Sequence, residues 1–188
     1  MRELQVNEIK LVARELKAGD RVLLSGCVYT ARDAAHIKIL EMIESGEKPP
    51  FDPAGSVIYY TGPAPAREGM PVGSCGPTTS GRMDFFTPKL LDMGLSATIG
   101  KGERSDEVKK AIVRNRGVYF CAVGGAGALL ARHVVAAEEI AFSELGCESV
   151  KKLTVKGLPL TVATDCTGGD IFEEGRKKYA LPRNCRLF

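Results

Sequence analysis

Apolar residues in this chain fall in short runs separated by turn formers, and segments of helical period lie between the runs. Residues 21–29, 57–60, 95–99 and 118–123 are β-rich and mostly apolar, which predicts four buried strands. Ahead of them, the first twenty residues predict a short strand or helix that ends in the turn Ala18-Gly19-Asp20. Ile37, Ile39, Leu40 and Ile43 give 31–43 a helical pattern, with Thr30 placed to cap it, Gly46 to end it and Pro49-Pro50 beyond. Ser105 is placed to cap a helix through Val113, with Asp106 and Glu107 in the first turn, where negative charge is favourable. The C-terminal third is β-rich near 133–135, 150–155 and 158–163, and closes in a basic tail, 172–188, with little apolar periodicity. Strands alternating with helices, and β-rich stretches at the end, predict one α/β domain over residues 1–188 with a mixed sheet.

One polar stretch stands out from this pattern: Gly76-Pro77-Thr78-Thr79-Ser80-Gly81-Arg82-Met83-Asp84. Pro77 fixes its own φ and pushes Gly76 out of the α region, so the chain turns here. Thr78, Thr79 and Ser80 are favoured N-cap types, and a helix over 85–93, interrupted near Thr87-Pro88, could follow. Free amides, hydroxyls and the Arg82 guanidinium would then converge on an anion. The same pattern also fits a plain helix cap with a surface arginine. A long loop rich in glycine and proline, 61–76, leads into it, and loops of that length are usually functional or disordered. Arg32 falls at a helix N-terminus, where a cation is unfavourable unless an anion meets it. Lys101 stands between two glycines at a strand end, open to a ligand or simply part of a surface turn. Gly125 and Gly127 follow a strand as in a dinucleotide fingerprint, but Leu130 occupies the third small position, so tight strand–helix packing is the better use for them.

Composition narrows the choice further. The chain has 188 residues, enough for a real core, and a net charge of +3 with no basic stripe, which argues against nucleic acid. No apolar run is long enough to span a bilayer and no signal-peptide core is present, so the expectation is a cytoplasmic protein with no membrane partner. Six widely spaced cysteines, with no CxxC, match neither a metal site nor a secreted scaffold and are expected to be reduced thiols.

Four segments taken together resemble one family: residues 19–26, 31–36 (Ala-Arg-Asp-Ala-Ala-His), the 76–84 motif and Ile99-Gly100-Lys101-Gly102. The family is the β subunit of class I, iron–sulfur-dependent fumarate hydratase, which includes the β subunit of L(+)-tartrate dehydratase. In single-chain members the same region is the C-terminal domain. The resemblance covers nearly the whole chain, and it is the combination of segments that is specific. It implies a swivelling β/β/α fold and a small dicarboxylate substrate. It also implies an α subunit whose three cysteines hold a 4Fe–4S cluster, with one open iron acting as Lewis acid on the substrate hydroxyl. This chain would itself bind no cofactor or metal, be inactive alone, and assemble as a hetero-oligomer with two copies of each subunit. By match to family positions, Arg32, Thr79, Arg82 and Lys101 bind substrate and Thr78 is the catalytic base; the general acid comes from the α part.

The chemistry suits those residue types. Removing a proton next to a carboxylate adds negative charge to a substrate that is already a dianion, so preorganised cations are needed. Arginine's fork binds carboxylates in a bidentate way. A threonine hydroxyl is a weak base precursor, and cations such as Arg32 would have to lower its pKa. Asp33 and His36 suit structural or catalytic roles equally, His133 is expected in the core, and Asp84 is expected to pair with an arginine or cap amides. Gly81 and Asp84 fit the fumarase form of the motif, where tartrate dehydratase β subunits tend to carry a bulkier residue and a glutamate. The rival from another class is a stand-alone module that binds an anion or nucleotide, supported by the 124–127 loop. An assembly subunit that has lost catalysis is a further rival, against which the joint presence of Arg32, Thr78, Arg82 and Lys101 argues.

Overall fold

In the computed structural model, which describes residues 1–180, the four apolar runs become adjacent parallel strands. They are β2 (Arg21–Thr30), β3 (Val57–Tyr59), β4 (Ala97–Gly100) and β5 (Val118–Cys121), with β1 (Arg2–Gln5) a further parallel strand beside β2. Every residue of β3 and β4 is buried. Strands covered on both faces have no solvent side, which is why these runs are continuously apolar rather than alternating.

The C-terminal third closes the sheet. β7 (Val150–Thr164) is a single strand where the pattern predicts two segments, because Gly157 takes a φ of +60° and bends the strand without ending it. β7 runs antiparallel to β5 through 161–164 and antiparallel to β2 through 152–161. β2, β3, β4, β5 and β7 therefore form a ring in which each strand pairs with the next. The sheet is mixed and the architecture α/β, as the alternation predicts. β6 (Val134–Ala141) pairs with 150–155 of β7 as an outer arm, and most of its side chains are exposed. With only Val134 fully buried it leaves little apolar period, which explains why only its first residues read as strand.

Neighbouring strand residues serve opposite faces. Val57, Tyr59, Ala97, Ile99, Val118 and Phe120 join one core cluster with Val22, Leu24 and Val162. Ile58, Tyr60, Tyr119 and Ala163 join another, covered by α2 (Asp33–Glu44), α3 (Thr87–Asp92) and α4 (Asp106–Asn115). Ser105 caps α4 as expected, its Oγ accepting from Val108 N–H, and Arg116 ends the helix at a φ of +50°.

Two expectations need correction. Thr30 is the last residue of β2 and does not cap α2. Its buried hydroxyl donates to Ser149 O (3.2 Å) and accepts from Lys151 N–H (2.9 Å), tying β2 to β7, while Arg32 takes the N-cap position without a side-chain bond. His133 is half-exposed beside β6, with Nδ1 3.1 Å from Lys156 O, and is not a core residue. Within the tail, α6 (Ile171–Tyr179) is a helix capped by Asp170, whose carboxylate accepts from the amides of Phe172 and Glu173. The remainder of the tail, 181–188 with Cys185, lies outside the described residues. Among the described residues no helix is long and apolar enough to cross a membrane.

Candidate active site

Because β2, β3 and β4 are parallel, the loops leaving their carboxyl ends emerge at one end of the barrel. Arg32 comes two residues after β2 and Lys101 one residue after β4. The loop after β3 brings Thr78 and Thr79 back to the same end. Thr78 N–H donates to Tyr60 O (2.7 Å), Lys101 N–H to Thr78 O (3.2 Å) and Ser80 N–H to Lys101 O (2.8 Å). Thr79 and Lys101 form an isolated parallel bridge. The polar motif is thus inserted as a minimal strand between the extensions of β3 and β4.

This placement corrects the reading of 76–84 as a helix cap with free amides. The amides of Thr78 and Ser80 are spent on the neighbouring strands. Thr79 precedes a 3-10 turn, Ser80–Met83, and makes no side-chain capping bond. α3 begins only at Thr87, and Pro88 sits in its first turn, where a missing N–H costs nothing.

Arg82 leaves the 3-10 turn half-exposed and binds Asp33 in a bidentate way, Nε to Oδ1 at 2.9 Å and Nη2 to Oδ2 at 2.5 Å. Asp33 is the first residue of α2, so this pair sets Arg82 beside the N-cap residue Arg32. Arg32 in turn has an internal counter-anion: Glu148 Oε1 lies 3.3 Å from Nη2, and Glu148 Oε2 accepts from Ala34 N–H at 3.3 Å. Glu148 meets both the cation and the positive end of α2, the balance that a cation at that position requires. Arg32 Nε is buried with no partner.

Lys101 is exposed and runs along the glycine turn after β5; a Cβ on Gly124 would stand 3.3 Å from its Cδ. Farther along, a Cβ on Gly127 would collide with Ser74 Oγ, and Cys75 N–H donates to Gly127 O at 3.0 Å. These glycines serve close packing against the loop that precedes the motif. α5 (Gly127–Ala131) is a short helix of five residues, which leaves the nucleotide reading without its main support.

Beneath the surface lie groups that the sequence did not reveal. Arg104 is 3% exposed and donates from Nε to Asp84 Oδ1 (2.7 Å), from Nη1 to Thr98 Oγ1 (3.0 Å) and from Nη2 to Thr87 Oγ1 (2.8 Å). Asp84 Oδ2 also accepts from Ser105 N–H (2.6 Å), so Asp84 both pairs with an arginine and caps an amide. Tyr119 is buried with its hydroxyl 2.9 Å from Ser80 Oγ and 2.7 Å from Gly102 O. An arginine next to a helix-capping serine looks like a surface residue in sequence, and a strand tyrosine looks like core; only tertiary pairing distinguishes them. His36 is buried between Tyr60 and Phe86, with Nδ1 2.8 Å from Arg32 O. Burial, reinforced by the Arg104 charge, pushes its imidazole down to about 4. It is neutral at physiological pH.

Among the described residues, no group of three or more His, Cys, Asp or Glu side chains is placed to hold a metal ion. Burial pushes the Cys75 thiol up to about 11, away from the thiolate a metal would need. The chain offers instead two guanidinium groups, an ammonium and two threonine hydroxyls at one barrel end, an arrangement suited to a small polyanion.

The family model described as Fumarase C-terminus matches residues 1–175. Over 171 residues the chain is 38% identical to "Fumarate hydratase 2" of Leishmania major, covering 90% of this chain and 30% of that protein. It is 43% identical to the "Putative L(+)-tartrate dehydratase subunit beta" of Methanocaldococcus jannaschii, covering 88% of each. It is 36% identical to the anaerobic "Fumarate hydratase class I" of Escherichia coli, covering 90% of this chain and 31% of that one. The chain therefore spans under a third of these fumarate hydratases but nearly all of the tartrate dehydratase subunit. A match of this extent, together with the cation-lined barrel end, leads to one conclusion: the chain belongs to the fumarase C-terminus family.

Proposed function

We propose that this chain is the β part of a hydro-lyase that interconverts fumarate and L-malate, working with an α subunit that carries a 4Fe–4S cluster. The observation that supports it best is the gathering of Arg32, Thr78, Thr79, Arg82 and Lys101 at one barrel end in a member of this family. Among the described residues no group of three or more His, Cys, Asp or Glu side chains is placed to hold a metal ion, and the reading assigns the cluster to the partner.

The chain's own residues would act on charge. Asp33 occupies Nε and one Nη2 proton of Arg82, leaving donors on Nη1 for a substrate carboxylate. Lys101 and Arg32 would add positive charge where the second carboxylate gains electron density as the adjacent carbon loses its proton. Thr78, as its alkoxide, would accept that proton and return to the neutral hydroxyl. Its backbone is fixed on both sides, by Tyr60 O and Lys101 N–H. The nearby cations would favour its ionised form.

L(+)-tartrate dehydratase β subunit is the second reading, favoured by the 43% identity and the matching length of the archaeal relative. Anaerobic co-expression with the α subunit, followed by assay on L-malate and L-tartrate, separates the two. Fumarate production that needs both chains supports the first reading, and turnover of tartrate alone supports the second. A stable, cluster-loaded complex that turns over neither rejects the hydro-lyase assignment. Light scattering on the same complex tests for two copies of each subunit.

A further inference from the structure

Apart from Arg32, at the N-cap of α2, the side chains of the proposed site come from two irregular segments. Residues 78–82 carry Thr78, Thr79 and Arg82, and the turn 100–102 carries Lys101. Backbone hydrogen bonds join the segments at Thr78, Ser80 and Lys101. Two bonds, Lys101 N–H to Thr78 O and Ser80 N–H to Lys101 O, leave the rest of each segment free to pivot unless something else fixes it.

Two buried side chains do. Near the start of the 3-10 turn, the Tyr119 hydroxyl bonds Ser80 Oγ (2.9 Å) and Gly102 O (2.7 Å), so one oxygen on β5 links the motif to the Lys101 turn. The fit is tight, since a Cβ on Gly100 would collide with Ser80 Oγ. Just beyond the turn, the Asp84 carboxylate spans Arg104 Nε (2.7 Å) and Ser105 N–H (2.6 Å). Arg104 is anchored in turn by Thr98 on β4 and Thr87 on α3, and its guanidinium lies 5.3 Å and 4.9 Å from the ring centres of Tyr60 and Tyr119. A buried cation persists only where its donors are met, and here they are met by the elements that frame the site. Arg82 stands between the two fixed points.

We propose that Arg104 and Tyr119 are positioning residues for this site, fixing Arg82 and the threonines relative to Lys101 without touching substrate themselves. The kinetic consequence rests on the hydro-lyase reading; the structural consequence does not.

The test uses the complex with its α subunit. Tyr119→Phe removes one oxygen and keeps the ring, and Arg104→Lys keeps the charge but loses the fork. Each is expected to lower kcat/KM for L-malate about 100-fold, the cost of a displacement near 1 Å. In a Lys101→Ala background, Tyr119→Phe should cost far less, because the group it positions is gone. Amide hydrogen exchange should rise in peptides covering 78–84 and 100–103, with the rest of the barrel unchanged. Equal kinetic losses in both backgrounds, with exchange raised throughout β4 and β5, would overturn the proposal and leave two ordinary core residues. If the wild-type complex turns over neither malate nor tartrate, the hydro-lyase reading fails and exchange alone decides. Unchanged exchange at 78–84 and 100–103 would then refute positioning, and a rise confined to those peptides would sustain it.

Discussion

The guanidinium of Arg82 lies fork to fork on the carboxylate of Asp33, at 2.9 and 2.5 Å, joining the turn after Thr79 to the first residue of α2. Half of the Arg82 side chain is exposed, so this pair adds little to stability and its effect is orientation. Asp33→Ala should shift unfolding free energy by no more than about 0.5 kcal/mol. It should nonetheless lower kcat/KM of the complex at least about tenfold, the worth of one charge-assisted hydrogen bond. Thermal melts and steady-state rates on the same preparation check both halves; unchanged kinetics would mean Arg82 needs no such anchor.

Two glycines make opposite forecasts. A methyl group on Gly100 would run into Ser80 Oγ and come within 3.0 Å of the Tyr60 ring, so Gly100→Ala should destabilise the chain by about 1–3 kcal/mol. Gly175 sits within α6 with open space around it and no positive φ, so Gly175→Ala should stabilise by up to about 1 kcal/mol. Urea denaturation of both variants measures the contrast.

His36 gives the fold an acid-sensitive point. Its imidazole is held neutral by burial and by the Arg104 charge, and titrates at about 4 against the opposing pull of the Arg32 carbonyl and Asp33. The unfolded side chain titrates near 6.5. Between those values the unfolded chain takes up a proton that the folded chain refuses, so stability is full above about pH 6.5 and falls as pH drops toward 4. The whole window is worth on the order of 3 kcal/mol. Urea midpoints for His36→Gln should fall less over that range than those of the wild type, and parallel curves would count against the assignment.

The parallel half of the fold was legible because buried parallel strands are continuously apolar, as in 57–60 and 118–123. Closure of the ring was not, since the pairing of 152–161 with β2 is long-range and leaves no local mark. For the site, residue types on loops could be named, but their anchors could not. Nothing near Thr30 in sequence shows that its hydroxyl reaches Ser149 and Lys151. Nothing near Arg104 shows that it is buried on Asp84. Glu148 lies 116 residues after Arg32 and meets it only in the folded chain.

Arg82→Ala tests most directly whether the cations at the barrel end bind the dicarboxylate. In the complex with the α subunit, the variant should assemble and melt like wild type while kcat/KM for L-malate falls at least about 100-fold, through loss of charged hydrogen bonds to a carboxylate. An intact complex with kcat/KM within about threefold of wild type would contradict the account and move the substrate site away from this end of the barrel.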